Sequence, residues 1–314
     1  MEGKVVFASG KAGDYDIWSL DLATRELGQL TDGAYWNDCP KWSPDGRKII
    51  FISNLIGSAQ IWMMDENGLN QAQVTETDRW HGAPAWSPDG KRIVFCANYD
   101  GNINIYVLDL AGGNLQRITN DKSKDSHPRF SPDGKKIIFV SQRSGNDDIW
   151  AYHLETGQLR QLTTCKQKHF YPVYSPDGQT IVFVRGVMMP GGEENLEIYL
   201  MDESGGNIRK LTDNLRSEHY VNWSPDGKFL IHVSRRLSVA ERLAGMPSFA
   251  ERLMVTDIET KKSRYVEFDR EKLNDEIDVK TPGVGIFAIL PNFITKRLYP
   301  QQYFGTERYP DWKL

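Results

Sequence analysis

Histidine is scarce in this chain and unevenly placed. Of six histidines in 314 residues, four (His81, His127, His169 and His219) fall within five residues upstream of an aromatic that opens a recurring pentapeptide. Imidazole holds transition metals and exchanges protons near neutral pH. Four of them on successive copies of one motif are therefore candidate ligands for a divalent cation: Mn²⁺, Zn²⁺ or Ca²⁺. Around them stand Asp38, the aromatics Trp36, Trp80, Phe170, Tyr171 and Tyr220, and the guanidinium groups of Arg185, Arg216, Arg235 and Arg236. Imidazole, aromatic faces and guanidinium together suit an acidic oligosaccharide or a carboxylate-bearing peptide. The expected binding set is Asp38, Trp80, His81, His127, His169, His219, Arg235 and Arg236, with the four histidines as the metal ligands. No other cofactor is implied.

The elements that must carry these residues are legible from the pentapeptide. It reads WSPDG at Trp42, WSPDG at Trp86, FSPDG at Phe130, YSPDG at Tyr174 and WSPDG at Trp223, a period of 44 residues that lengthens to 49 at the last step. A fixed period in this range is a repeat architecture. Pro44 presets the first central position of a type I turn, Asp45 suits the second, and Gly46 takes the left-handed conformation that closes a bulged hairpin. After each turn comes an apolar run without polar alternation, such as KIIFIS from Lys48 and TIVFVR from Thr180, which implies a strand covered on both faces. A third strand follows (IWMMD at Ile61, IYVLD at Ile105), then a short fourth ending in Thr, so each repeat is four strands.

Both chain ends are incomplete in a complementary way. Residues 5–31 carry the second, third and fourth strands of a repeat without a first, and VGIFAIL from Val284 reads as a first strand without the rest. Pairing them closes a ring of six units and removes the sheet edges that an open stack would expose.

The SPDG turn, the IW or IY strand ending in Asp and the LT strand end resemble the PD40 (WD40-like) repeats of TolB-type six-bladed β-propellers, over almost the whole chain to about Phe268. The resemblance implies an all-β fold, a six-bladed propeller of four-stranded blades whose ring is closed by the N- and C-terminal strands in one blade. It implies one domain over 1–314, with residues 291–314 packing across the ring as a clasp. Some polysaccharide lyases, oligogalacturonate lyases among them, are similar propellers that hold a divalent cation. If the strand before SPDG is innermost, as the resemblance implies, the SPDG turns share the plainer face. The crossovers between blades and the insertions after Arg185 and Ser234 share the other, where function is expected. Ser238 and Glu241 read as a capping box opening one short helix that stops at Pro247.

Composition narrows the partners. A net charge of −4 provides no basic field for nucleic acid. No run of 18 apolar residues exists to enter a membrane. Cys39, Cys96 and Cys165 lack metal or disulfide spacing. The strand pattern from Lys4 to Ala8 leaves no room for a leader, so a cytoplasmic location is expected if Met1 is the native start, and a periplasmic or secreted one if a signal peptide was removed. There is no G-x-S-x-G elbow, HExxH helix or phosphate loop. The leading expectation is a non-catalytic, monomeric propeller that binds a protein, peptide or glycan at the channel mouth. The alternative is a metal-dependent lyase acting on uronate oligosaccharides.

Overall fold

The computed structural model describes residues 3–11, 14–33, 35–188, 194–214, 216–236, 251–266 and 286–287. They form six four-stranded antiparallel sheets arranged as a six-bladed propeller. Blade 1 comprises Asn37–Trp42, Lys48–Ser53, Gln60–Asp65 and Ala72–Gln73. The innermost strands of blades 2 to 5 are His81–Trp86, Asp125–Phe130, His169–Tyr174 and Arg216–Trp223. The closing blade takes Lys4–Lys11, Asp14–Asp21 and Leu27–Gln29 from the start of the chain and Ile286–Phe287 from its end. The register there, Ala8 opposite Phe287 and Ser9 opposite Ile286, makes the expected closure.

Each SPDG turn has the geometry its residues dictate, with one contributor the motif alone did not reveal. Gly46 has φ 72°, the left-handed region that glycine enters without a side-chain penalty. Ser43 Oγ donates to Asp45 Oδ1 at 2.6 Å and accepts the Lys48 N–H at 2.9 Å, so the serine ties the turn to the strand it launches. The same pair of bonds recurs at Ser87, Ser131, Ser175 and Ser224.

Blades adhere through their flat faces. The fully buried phenylalanines Phe7, Phe51, Phe95, Phe139 and Phe183 recur at intervals of 44 on the second strands, each contributing roughly 2 to 3 kcal/mol by removal from water. Every core cluster joins neighbouring blades, and one joins Val5, Phe7 and Leu20 of the closing blade to Val233, Leu253 and Val255 of blade 5. The anchor tryptophans bridge in the same direction. Trp86 Nε1 donates to the Lys41 carbonyl at 3.1 Å and Trp223 Nε1 to the Val173 carbonyl at 3.2 Å, each reaching the innermost strand of the preceding blade.

Two details differ from the sequence reading. The insertion after Arg185 does not open a loop at once: it prolongs the hairpin, pairing Gly186 with Leu196, Val187 with Asn195 and Met188 with Glu194. Each of the five innermost strands also slips register by one residue, at a bulge whose residue is left-handed: Cys39, Ala83, His127, Tyr171 and Tyr220, with φ between 50° and 59°. In four of them proline follows, and a residue without N–H loses no ladder bond there. The expected helix from Ser238 and the clasp over 291–314 lie outside the described residues. No helix of the described residues is long and apolar enough to cross a membrane.

Candidate functional site

The histidines do two different jobs, set by where they fall along the innermost strand. Counting back from the anchor aromatic, the fifth residue is Asn37, His81, Asp125, His169 or Glu218. All five are buried between blades. There His81 and His169 meet the threonine that ends the preceding blade's fourth strand, Asn37 meets Asp16 of the preceding blade's third strand, and Glu218 accepts from Asn214 just after the preceding blade's fourth strand. In the first such latch, Asp16 accepts from Thr31 Oγ1 at 2.9 Å and from Asn37 Nδ2 at 3.4 Å. In the next, Thr75 Oγ1 donates to Gln60 Oε1 at 3.1 Å and lies 2.8 Å from His81 Nδ1. Thr163 Oγ1 donates to Asp148 Oδ1 at 3.0 Å, and His169 Nδ1 sits 3.0 Å from the Asp147 carbonyl and 3.4 Å from Asp148 Oδ1. Each threonine oxygen also accepts a backbone N–H from the third strand, those of Ile17, Ile61, Ile105, Ile149 and Ile198.

His81 and His169 are thus fasteners between blades. Burial pulls the His81 pKa down to about 4 and lowers that of His169. Cys165 Sγ lies 3.3 Å from His169 Nε2, which produces the order of a Cys–His–Asp nucleophile. Thr77, at the same repeat position, meets His81 Nε2 at 3.5 Å, so the thiol is the local variant of a latch contact.

His127 and His219 stand on the innermost strands of blades 3 and 5, at and just before the bulge. His127 is the bulge residue of blade 3; its ring meets Tyr171 edge-on at 4.7 Å, and Tyr171 in turn meets Tyr220 at 4.6 Å. Its Nδ1 is 3.1 Å from Ser126 Oγ, whereas the buried Nε2 has no hydrogen-bond partner among the described residues. Burial, reinforced by the charges of Arg129 and Lys124, pulls its pKa down to about 3. His219 stacks on Tyr220 at 5.9 Å, and burial followed by the charges of Arg235 and His232 pulls it to about 3 as well. The four imidazoles therefore do not converge. Among the described residues no group of three or more His, Cys, Asp and Glu could hold a metal ion. The expected four-histidine cation site is corrected: the residues present do not fit the metal.

Of the other expected residues, Asp38 is buried one position before the blade 1 bulge, and its Oδ1 accepts the Cys39 N–H at 2.6 Å. Trp80 folds across Gly82, where a β-carbon would come within 2.3 Å of the indole, and packs on the cores on both sides of blade 2. Arg235 is half-buried and paired in register with Ser217. Arg236 pairs in register with Arg216, and its side chain lies outside the described residues.

Two inner-face residues escaped the sequence reading. Lys41 and Arg129 each occupy the position just before the anchor aromatic, in blades 1 and 3, and both are half-buried. Burial, then the charge of Arg129, holds the Lys41 ammonium well below the usual lysine range; Cys39 and Asp38 oppose that shift. Arg129 is pulled to about 10 by burial. The signal was present in the repeat alignment, since the equivalent positions elsewhere are Ala85, Val173 and Asn222. On the turn face, a cleft of about 250 Å³ opens between the turns of blades 4 and 5, beside Arg209 and Trp223. Its carboxylates, Asp177 and Asp226, are engaged by the serines of their own turns.

Residues 70–189 match the family model described as PD40, the TolB beta propeller domain. TolB from Acinetobacter baumannii superposes with a TM-score of 0.70 at 25% identity over 83% of this chain; the chain spans 62% of the length of that protein. A putative TolB from Agrobacterium tumefaciens gives a TM-score of 0.64 at 20% identity, covering 85% of this chain and 89% of its own. An oligogalacturonate lyase in complex with manganese gives 0.54 at 19% identity, covering 84% and 73%. No curated protein matches the sequence. Residues 70–189 thus carry the repeat of the TolB beta propeller domain, and the ring as a whole has the six-bladed propeller fold of these structures.

Proposed function

We propose that this ring is a non-catalytic binding module, acting as a single-domain monomer, which takes a segment of a protein or peptide partner into its central channel. The observation that supports this is the inner face itself. Phe170 and His219, four positions before their anchors, and Lys41 and Arg129, one position before theirs, are half-buried on the innermost strands, backed by the buried row of touching rings His127, Tyr171 and Tyr220. The half-buried Phe170 and His219 offer ring contact and the cations select for acidity. The TolB likeness supports a protein partner over a saccharide. The uronate lyase reading, for which the manganese-bound relative is the prompt, would need a cation site, and His81 and His169 are already committed to interblade latches.

The test is selection of displayed peptides on the wild-type ring, followed by binding to two variants. Asn222→Trp places a large ring at the half-buried position before the blade 5 anchor, on the inner face. Asp45→Asn alters the turn face only. Peptides selected on the wild type are expected to bind Asn222→Trp about tenfold or more weakly and Asp45→Asn unchanged. Binding indifferent to Asn222→Trp would overturn the channel as the site. Manganese-dependent cleavage of polygalacturonate would overturn the non-catalytic reading.

A further inference from the structure

Cys165 fills a latch position with a group the latch does not need. Two residues after the threonine that ends a fourth strand stand Thr77, after blade 1, and Cys165, after blade 3. Each meets the imidazole behind it: Thr77 Oγ1 lies 3.5 Å from His81 Nε2, and Cys165 Sγ lies 3.3 Å from His169 Nε2. A hydroxyl there makes the same contact, whereas a thiol beside a base is a nucleophile.

The surroundings fix which way the imidazole faces. His169 Nδ1 lies 3.0 Å from the Asp147 carbonyl and 3.4 Å from Asp148 Oδ1. The carbonyl only accepts, so Nδ1 carries the ring proton and Nε2 turns its lone pair to the sulfur. Asp148 is itself held, accepting from Thr163 Oγ1 at 3.0 Å, Ser144 Oγ at 2.7 Å and Gln161 Nε2 at 3.1 Å. The loop that carries the thiol is pinned as well. Asn146 Nδ2 donates to the carbonyls of Cys165 and Gln167, at 2.9 Å each, and Arg185 Nη2 donates to Gln167 Oε1 at 2.9 Å.

Exposure completes the arrangement. His169 is wholly buried, whereas Cys165 is half-buried between the exposed Thr164 and Lys166, so the base stands on the protein side of the sulfur and solvent reaches the other. The remaining thiols contrast with it. Cys39 and Cys96 are buried, Cys96 Sγ donates to the Gly82 carbonyl at 3.2 Å, and burial pushes that thiol up to about 12.

We propose that Cys165 and His169 form a nucleophilic pair and that Cys165 is a modification site for hydroperoxides, which convert it to the sulfenic acid. The step is stoichiometric and independent of channel binding. As the sulfur attacks one peroxide oxygen, its proton passes to His169 Nε2; the S–O bond forms and the O–O bond breaks. The departing hydroxide takes the proton back from Nε2 and leaves as water. Sulfur loses an electron pair and the peroxide gains it. Asp148 and the Asp147 carbonyl steady the ring while it holds both protons.

The test is reaction of the native ring with hydrogen peroxide near neutral pH, with dimedone to trap the sulfenic acid and mass spectrometry to assign the residue. Cys165 is expected to be labelled about tenfold or more faster than N-acetylcysteine amide, with Cys39 and Cys96 unlabelled, and to fall to the rate of that reference in denaturant. His169→Asn supplies the side chain that blade 1 carries at Asn37 and removes the base. It is expected to keep the fold and to slow labelling about tenfold or more. Cys165→Thr, the blade 1 residue at this position, is expected to keep the melting temperature and to abolish labelling. Should His169→Asn fail to fold, the fall to the reference rate in denaturant carries the same decision. A native rate equal to that of the reference, or labelling that His169→Asn leaves unchanged, overturns the pair. Labelling of Cys39 and Cys96 at the rate of Cys165 would trace the reaction to an opened ring and overturn it too.

Discussion

Five residues before each anchor aromatic, Asn37, His81, Asp125, His169 and Glu218 close the same gap with four different side chains. The position requires a buried polar group that reaches a polar partner, and several chemistries satisfy it: Asn37 through Asp16, His81 through Thr75 and Glu218 through Asn214. Asn37 does so without a titrating proton, which makes Asn the natural replacement for His81. The pH consequence has a definite sign. The folded-state pKa of His81 is about 4, and those of His127 and His219 about 3, all depressed from 6.5. Below 6.5 the unfolded chain takes up protons first, so stability is full above that value and falls as pH drops toward the folded pKa. At about pH 5 each such histidine removes about 2 kcal/mol. Asp16, Asp125 and Glu197, whose pKa values burial raises, oppose this in the carboxylate range. His81→Asn is expected to keep the fold and to lose less melting temperature than the wild type between about pH 7.5 and about pH 5; an equal or larger loss would contradict the latch assignment. The enrichment of histidine before the anchors was legible in the sequence, but its meaning was not. A register slip between the fourth and first residues before the anchor breaks the alternation of faces, so position along the window does not reveal which side a residue occupies.

The second strand and the following inner strand are coupled as elements. In blades 2 and 4 an imidazole at the latch position packs against a phenylalanine on the second strand: His81 against Phe95 at 5.3 Å, His169 against Phe183 at 5.6 Å. In blade 5 the residue types exchange. His232 stands where the phenylalanine would be, 49 residues after Phe183, and Glu218 stands at the latch. Their side chains meet at 2.8 Å, His232 Nε2 reaches Thr256 Oγ1 at 2.8 Å, and Ser234 Oγ and Asn214 Nδ2 donate to Glu218 Oε1. His232, which interrupts an apolar run in the sequence, is a core histidine for this reason. Breaking a buried pair on one side costs about 3 to 5 kcal/mol. Glu218→Leu and His232→Phe are each expected to destabilise on that scale, whereas Glu218→His combined with His232→Phe restores the blade 2 arrangement and should recover most of the loss in denaturant unfolding. Simple addition of the two losses would contradict the coupling. At this scale the turns, the strand count and the order of strands were legible from Pro, Asp, Gly and the apolar runs. The bonding by Ser43 and its equivalents was not, because a hydroxyl in a turn has many local partners and the motif does not choose among them.

For the whole molecule, the decisive property is closure. A repeat protein buries each unit against its neighbours, so an unclosed ring exposes a strand edge and an interblade face together. The sequence disclosed closure through arithmetic, a repeat missing its first strand at one end and a first strand without a repeat at the other, and the pairing of Ile286–Phe287 with Lys4–Lys11 realises it. It did not disclose the channel, because Lys41 and Arg129 lie far apart in sequence and acquire a common surroundings only once the inner strands of blades 1 to 3 are set side by side. Channel and binding therefore depend on the closed ring, and the most direct measurement is made on a chain shortened after Thr281, which removes Ile286–Phe287. Its thermal unfolding and its binding of the displayed peptides selected on the wild-type ring are compared with those of the full chain. The melting temperature is expected to fall by about 10 °C or more, the scale of several kcal/mol in a chain of this size, with binding of the selected peptides lost in parallel. An unchanged melting temperature with undiminished peptide binding would contradict the closed ring as the source of the site.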